Sequence, residues 1–191
     1  KGYSFGKALR EIDNEPLAMR RARGRQHFID NLEESRLVLN TKIDGFLAST
    51  HLWAGEAVYH ETPLQLIYVS SRQAIDPGVS VPGYAMSNWA VLQLPKVLAI
   101  NLGRQAQFVT AASILLPFVR TSMTDEYASN AKVFGRWQPR MLETHEAAQA
   151  FLQLLTRPTE ELDQGMFELL AEGSAEQVRV TSREVHLDLR E

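Results

Sequence analysis

Three apolar runs separated by chain breakers constrain the fold of this chain more than any other feature of its sequence. Leu64-Gln65-Leu66-Ile67-Tyr68-Val69 is the first, and Lys96-Val97-Leu98-Ala99-Ile100-Asn101-Leu102 is the second. The third, Arg140-Met141-Leu142, leads into Thr144-His145-Glu146-Ala147-Ala148-Gln149-Ala150-Phe151-Leu152. Runs that are apolar on both parities belong to strands covered on both faces. Residues 63–155 therefore read as strand and helix in alternation. The fold class predicted is α/β, a mixed, largely parallel sheet covered by helices. An N-terminal helical lead-in and a C-terminal helix plus β-hairpin complete it. The chain divides into N-terminal helices over 1–50, an α/β core over 51–155, and an acidic helix and hairpin over 156–191.

Local signals fill in the elements. Residues 28–48 have helical spacing, with Leu32, Leu39, Ile43 and Phe46 on one stripe and Arg36 between them. Such a stripe is buried either on the chain's own sheet or in a seam with a second copy or a partner, where Arg36 would set the register. A short strand is expected around Ala57-Val58-Tyr59-His60. A helix over Tyr84–Leu92 is expected to stop before Pro95. Residues 106–122 read as a further helix, bent or ended by Pro117. Thr144 suits an N-cap, and a helix over Thr159–Ala171 would carry Glu160 and Glu161 in its first turn. Val178–Val180 and Val185–Leu189 then form a hairpin turning near Ser182-Arg183.

Composition excludes several chemistries. A chain of 191 residues without cysteine has no disulfide, thiolate metal site or Cys nucleophile. A domain of this size buries roughly 70% of its unfolded surface and needs no staple. Residues 1–36 hold eight Lys/Arg and six Asp/Glu, whereas 143–191 hold four Arg and eleven Asp/Glu. The net charge of −3 gives no reason to expect nucleic acid as a partner. No apolar run is long enough for a transmembrane helix, and Lys1-Gly2-Tyr3-Ser4-Phe5-Gly6 does not read as a signal peptide. A cytoplasmic location is expected, with the periplasm as the alternative.

Three groups of residues are candidates for chemistry. Ser70, Ser71 and Arg72 with Asp76 lie in the loop beyond the carboxyl end of a strand, where open α/β sheets bind ligands. Tyr84 is an aromatic that can line the same pocket. No Gly-x-Ser-x-Gly elbow accompanies the serines, and no Gly-rich phosphate pattern occurs there. No cofactor is therefore assigned. His51, Glu56, His60 and Glu61 lack a recognised metal spacing, and Glu56 and His60 share a face only if the segment is helical. Arg20, Arg21, Arg23 and Arg25 form a local attractor for anions, or simply a solvated helix face.

The order of these segments resembles the STAS-type domains of sulfate transporters and anti-sigma-factor antagonists, together with their small bacterial relatives. The resemblance rests on Pro63–Ser70, Val97-Leu98-Ala99-Ile100, Phe118-Val119-Arg120 and the segment 140–152. In that segment Thr144, Glu146, Ala147, Phe151 and Leu152 follow the family's helix. Phosphorylated members carry an Asp-Ser-Ser-Gly-like loop, for which the nearest equivalent here is Ser70-Ser71, or Asp76-Pro77-Gly78 with Ser80. The resemblance implies a non-catalytic regulatory or sensory domain that binds a protein partner, itself as a homo-oligomer, or a small ligand. The residues leave two alternatives open. One is a small-ligand enzyme with a site near Ser70, Arg72 and Asp76 and the His51–His60 segment. The other is an extracytoplasmic sensor excised from a membrane receptor.

Overall fold

The computed structural model describes residues 16–77, 82–122, 124, 141–174 and 177–185. Helix α1, Leu17–Tyr59, is continuous, with Pro16 outside it as N-cap. No later proline interrupts its ladder, and it runs for about 65 Å at the usual helical rise. The expected helix over 28–48 is thus its middle, and residue 50 lies inside it. Past its end, Glu61 takes a left-handed φ of 51°. The Thr62 N–H then returns to the Ala57 carbonyl at 2.9 Å, which satisfies a last-turn acceptor. The strand expected around Ala57-Val58-Tyr59-His60 is therefore the final turn of α1. Ala54 and Ala57 join a core cluster with Leu64, Leu66 and Leu98, and that burial outweighs the strand preference of Val58 and Tyr59.

Strand β1, Leu64–Ser71, forms where the first apolar run predicts it. A 3-10 turn over Arg72–Ala74 follows. Helix α2 covers Pro82–Leu102, and a 3-10 segment over Gly103–Phe108 leads into strand β2, Val109–Leu116. Helix α3, Thr144–Leu155, and the single turn α4, Thr159–Leu162, precede strands β3, Met166–Ser174, and β4, Gln177–Glu184. The sheet order is β1-β2-β3-β4. The β1–β2 and β2–β3 pairs are parallel and β3–β4 is antiparallel. The chain is an α/β protein with a mixed, largely parallel sheet covered by helices.

Two expected elements exchange places. Lys96–Leu102 is the second half of α2, not a strand, and the expected helix over 106–122 is largely β2. Both segments are apolar on every parity, so periodicity cannot assign them. The expectation turned on Pro95, which removes an N–H and leaves the Val91 carbonyl without its helical donor. In the fold, Ser113 Oγ on β2 donates to Val91 O at 3.2 Å and lies 3.5 Å from Leu92 O. A side chain of the sheet takes over the missing donation, and α2 continues through a buried Pro95.

The C-terminal third is also corrected. The helix over Thr159–Ala171 ends at Leu162, because Gln164 turns the chain with a φ of 59°. Its N–H donates to Ala111 O, and Asp163 Oδ1 accepts from the Ala111 N–H at 3.0 Å. That pairing brings β3 alongside β2. The hairpin is β3 with β4, and Ser182 pairs with Leu169 instead of turning. His186–Leu189 lies outside the described residues, as does Arg140. Leu142 forms only a single parallel bridge with Val119. Helix α3 starts as expected, but Glu143 is its N-cap, and the Glu146 side chain accepts from the Glu143 N–H at 2.7 Å.

Strand alternation makes β2 the middle of two layers. Ala112 and Ile114 pack with Ala150, Leu154 and Phe167 on the α3 side. Ala111 packs with Tyr68 and Val91 on the other side, where Phe46 of α1 joins them. On that side α1 and α2 cross closely: a Cβ on Gly83 would stand 2.7 Å from Ser35 Cα and 2.8 Å from Ser35 O.

Gly83→Ala should therefore destabilise the protein by about 1–3 kcal/mol. Gly45→Ala, with open space around it, should be neutral or stabilise by up to about 1 kcal/mol. Denaturant midpoints would compare them, and equal midpoints would contradict the close crossing. Ser113→Ala should cost about 1–3 kcal/mol, because it leaves a buried carbonyl without a donor. Pairing it with Pro95→Ala, which restores the helical N–H, should recover part of that loss in the same measurement.

Candidate functional site

The crossing of α1 and α2 stands over the carboxyl end of β1, the edge at which open α/β sheets hold ligands. Ser70 is buried there, and its hydroxyl donates to the Asn88 carbonyl at 2.9 Å. Ser71 Oγ accepts the Gln73 N–H at 3.2 Å and so starts the 3-10 turn. A hydroxyl that accepts one bond still has a proton to donate. Tyr84 sits in the first turn of α2 and is 37% exposed, which leaves it reachable by a ligand.

Asn88, one helical turn after Tyr84, is fully buried. Its Nδ2 donates to the Tyr84 carbonyl at 2.8 Å. Its Oδ1 accepts from Lys42 Nζ, which reaches across from α1. The same ammonium lies 5.7 Å from the centroid of the Tyr84 ring and 5.9 Å from that of Phe46, within cation–π range. Burial at the crossing lowers the Lys42 pKa from 10.5 to about 8, because the charged form loses hydration. Beneath it, Thr50 Oγ1 and Tyr68 Oη form a buried hydrogen bond of 2.8 Å. Burial raises the Tyr68 phenol above its usual range, and the Thr50 bond opposes that shift.

The sequence candidates are only partly brought together. Ser70, Ser71 and Tyr84 share this edge. Arg72 turns to Glu168, with Nε 3.4 Å from Oε1 of a carboxylate that is 1% exposed. Asp76 is exposed beyond the turn. His60 lies past the amino end of β1, about 23 Å of strand from Ser71, and its Nε2 pairs with Glu56 Oε2 at 3.3 Å. His51 is exposed on α1 and bonds to Leu47 O at 2.8 Å. Neither histidine belongs to the site. Among the described residues no cluster of three potential metal ligands occurs. Arg23 and Arg25 are exposed on α1.

Of the expected helical stripe, Leu32 is 51% exposed and Arg36 is exposed, whereas Phe46 packs edge-on to Tyr68 at 5.8 Å. Lys42 and Asn88 are the site residues that sequence reasoning missed. The four-residue spacing of Tyr84 and Asn88 on one helix is a usable local signal. Lys42 is 46 residues away from Asn88, and no local pattern joins them.

No family model matches the sequence, and no curated protein is similar to it in sequence. Solved structures do share the fold. A 4-hydroxyisoleucine dehydrogenase complexed with NADH superposes with a TM-score of 0.60 at 16% identity, over 68% of this chain and 55% of that one. Acetoin dehydrogenase from Enterobacter cloacae gives 0.58 at 17% identity, over 72% and 54%. The chain thus spans about half the length of the structures it matches. These neighbours overturn the expectation of a non-catalytic regulatory, signalling or sensory domain, since the fold is one that dehydrogenases use. No helix among the described residues is long and apolar enough to cross a membrane.

The shift at Lys42 has a measurable consequence. Its folded pKa lies below the unfolded value, so the unfolded chain binds more protons between about pH 8 and 10.5. Stability should rise with pH through that window. Tyr68, raised by burial, acts oppositely, but only as the pH passes the unfolded phenol's range near 10. Urea unfolding between pH 8 and 9.5 should show the rise in the wild type and a flatter profile in Lys42→Met. Parallel profiles would mean that Lys42 is not desolvated.

Proposed function

We propose that this chain supplies the acid–base site of an oxidoreductase acting at a carbonyl or alcohol oxygen, with Tyr84 as the group that gives and takes the proton. The observation that carries the reading is the Lys42 ammonium held 5.7 Å from the Tyr84 ring at the carboxyl edge of a parallel sheet. Two similar folds belong to dehydrogenases named for small hydroxyl-bearing compounds. Interconverting an alcohol and a carbonyl moves a hydride at carbon and a proton at oxygen. A phenol is suited to the proton half when a nearby cation stabilises the negative charge it acquires. Ser71, with a proton still to donate, is a second donor for the same oxygen.

The nicotinamide dinucleotide that this fold implies is a different matter. A dinucleotide's diphosphate is usually held by free backbone N–H groups of a Gly-rich turn. Here the turn after β1 uses its own: Ser71 Oγ takes the Gln73 N–H, and Arg72 O takes those of Ile75 and Asp76. At the end of β2 the next residue is Pro117, which has no N–H to offer. Among the described residues these two turns do not form a diphosphate cradle, and no step is assigned to a nucleotide bound by them. What this chain's residues supply is proton transfer at Tyr84, its electrostatic support from Lys42, and orientation of the substrate oxygen by Ser71.

The test is reduction of small diketones and hydroxyketones by the full chain, with NADH supplied in solution and followed by its absorbance. Tyr84→Phe, which keeps the ring and removes the proton, should lower kcat about 100-fold or more. Turnover unchanged in Tyr84→Phe would sink the proposal, and so would its absence across the panel in the wild type.

A further inference from the structure

Asn88 joins three elements through one residue. Its Nδ2 is bonded to the Tyr84 carbonyl of α2, its Oδ1 to the Lys42 ammonium of α1, and its own carbonyl to the Ser70 hydroxyl of β1. A buried carboxamide bonded at both ends has one orientation. Lysine, by contrast, is a flexible stem that must lose rotamer freedom to hold a single place. We propose that Asn88 is the positioning residue of this site, a neutral clamp that holds the Lys42 ammonium beside the Tyr84 ring from the opposite helix.

The bearing of the clamp on catalysis rests on the acid–base reading of Tyr84, whereas the clamp itself is structural. Its neutrality matters. A carboxamide oxygen accepts a hydrogen bond from the ammonium without cancelling its charge, so that charge still acts at Tyr84. A carboxylate there would hold Lys42 as firmly and offset its field. The two side chains also meet at their ends, so cation and carboxamide can change helices and remain in contact. In that exchange the ammonium reaches the Tyr84 ring along one face of α2, four residues on.

The experiment combines a titration with an activity measurement, both on the full chain. The Lys42 side-chain amine is titrated by NMR in the wild type, Asn88→Asp and Asn88→Leu. Asn88→Asp should raise its midpoint by about one to three pH units. Asn88→Leu should lower the midpoint and weaken the nuclear Overhauser contacts between Lys42 and the Tyr84 ring. A midpoint unmoved in Asn88→Asp overturns the clamp whatever the activity does.

For NADH-dependent turnover, Asn88→Asp should lower kcat about tenfold even though Lys42 stays charged over a wider pH range. Lys42→Asn should lower kcat about 100-fold. The exchange Lys42→Asn with Asn88→Lys should recover it to within about tenfold of the wild type, a gain no merely structural role predicts. A folded double variant no better than Lys42→Asn overturns the exchange. Should Tyr84→Phe retain full activity, the acid–base reading falls, and the titration still decides the clamp.

Discussion

The close crossing of α1 and α2 is the contact on which the rest of the site depends. With Ser35 Cα only 2.7 Å from where a Gly83 Cβ would stand, the two helix backbones are in contact. Any side chain at 83 would push α2 outward and carry Tyr84 and Asn88 with it. Lys42 lies about two helical turns past Ser35 on α1, and its long stem reaches Asn88 on α2. Phe46 and Thr50 follow at four-residue steps and continue the same face down onto Tyr68 of β1. One face of α1 therefore does two jobs: its middle seats the cation of the site, and its lower turns bury against the sheet.

The second constraint is the exchange between Pro95 and Ser113. A 21-residue helix with an internal proline would ordinarily bend or stop there. The Ser113 hydroxyl from the central strand meets the carbonyl that lacks a donor. A residue with no side-chain donor at 113 would leave that carbonyl buried and unsatisfied. The bond also pins the middle of α2 to β2. Tyr84 and Asn88 are thus flanked by two contacts of their helix, the Gly83–Ser35 approach before them and the Ser113 bond to Val91 after them. A site that depends on atoms placed within fractions of an ångström is better supported by such a helix than by a free loop.

How much of this was legible in the sequence follows from the range of each interaction. β1 was readable because Leu64–Val69 is apolar, β-rich and bounded by Pro63. The start of α3 was readable because Thr144 to Phe151 carries capping and periodicity together. The roles of Lys96–Leu102 and Val109–Leu116 were not, because Ser113 decides between them and touches α2 only in the folded chain. The same holds for β3, which Gln164 and Asp163 set against Ala111 across a long separation. Ser70, Ser71 and Tyr84 were found by residue type and position. Asn88 carried a local signal in its spacing from Tyr84, but Lys42 was missed because it is unremarkable in its own segment and acquires meaning only from Asn88, 46 residues away.

That mutual dependence explains why a half-buried lysine is tolerated at all. Removing the ammonium from water makes its charged form less favourable, as its lowered pKa of about 8 records. A carboxylate partner would relieve the cost most directly, yet the group in contact is a carboxamide. The arrangement thus keeps a destabilised, uncancelled positive charge beside a phenol that ligands can reach. Structural stability alone gives no reason to prefer that arrangement over an ion pair or an apolar contact. A site that must stabilise negative charge on Tyr84 during proton transfer does give one, since only an uncancelled cation contributes to that task. On the proposed acid–base role of Tyr84, an asparagine at 88 leaves that charge available where an aspartate would offset it.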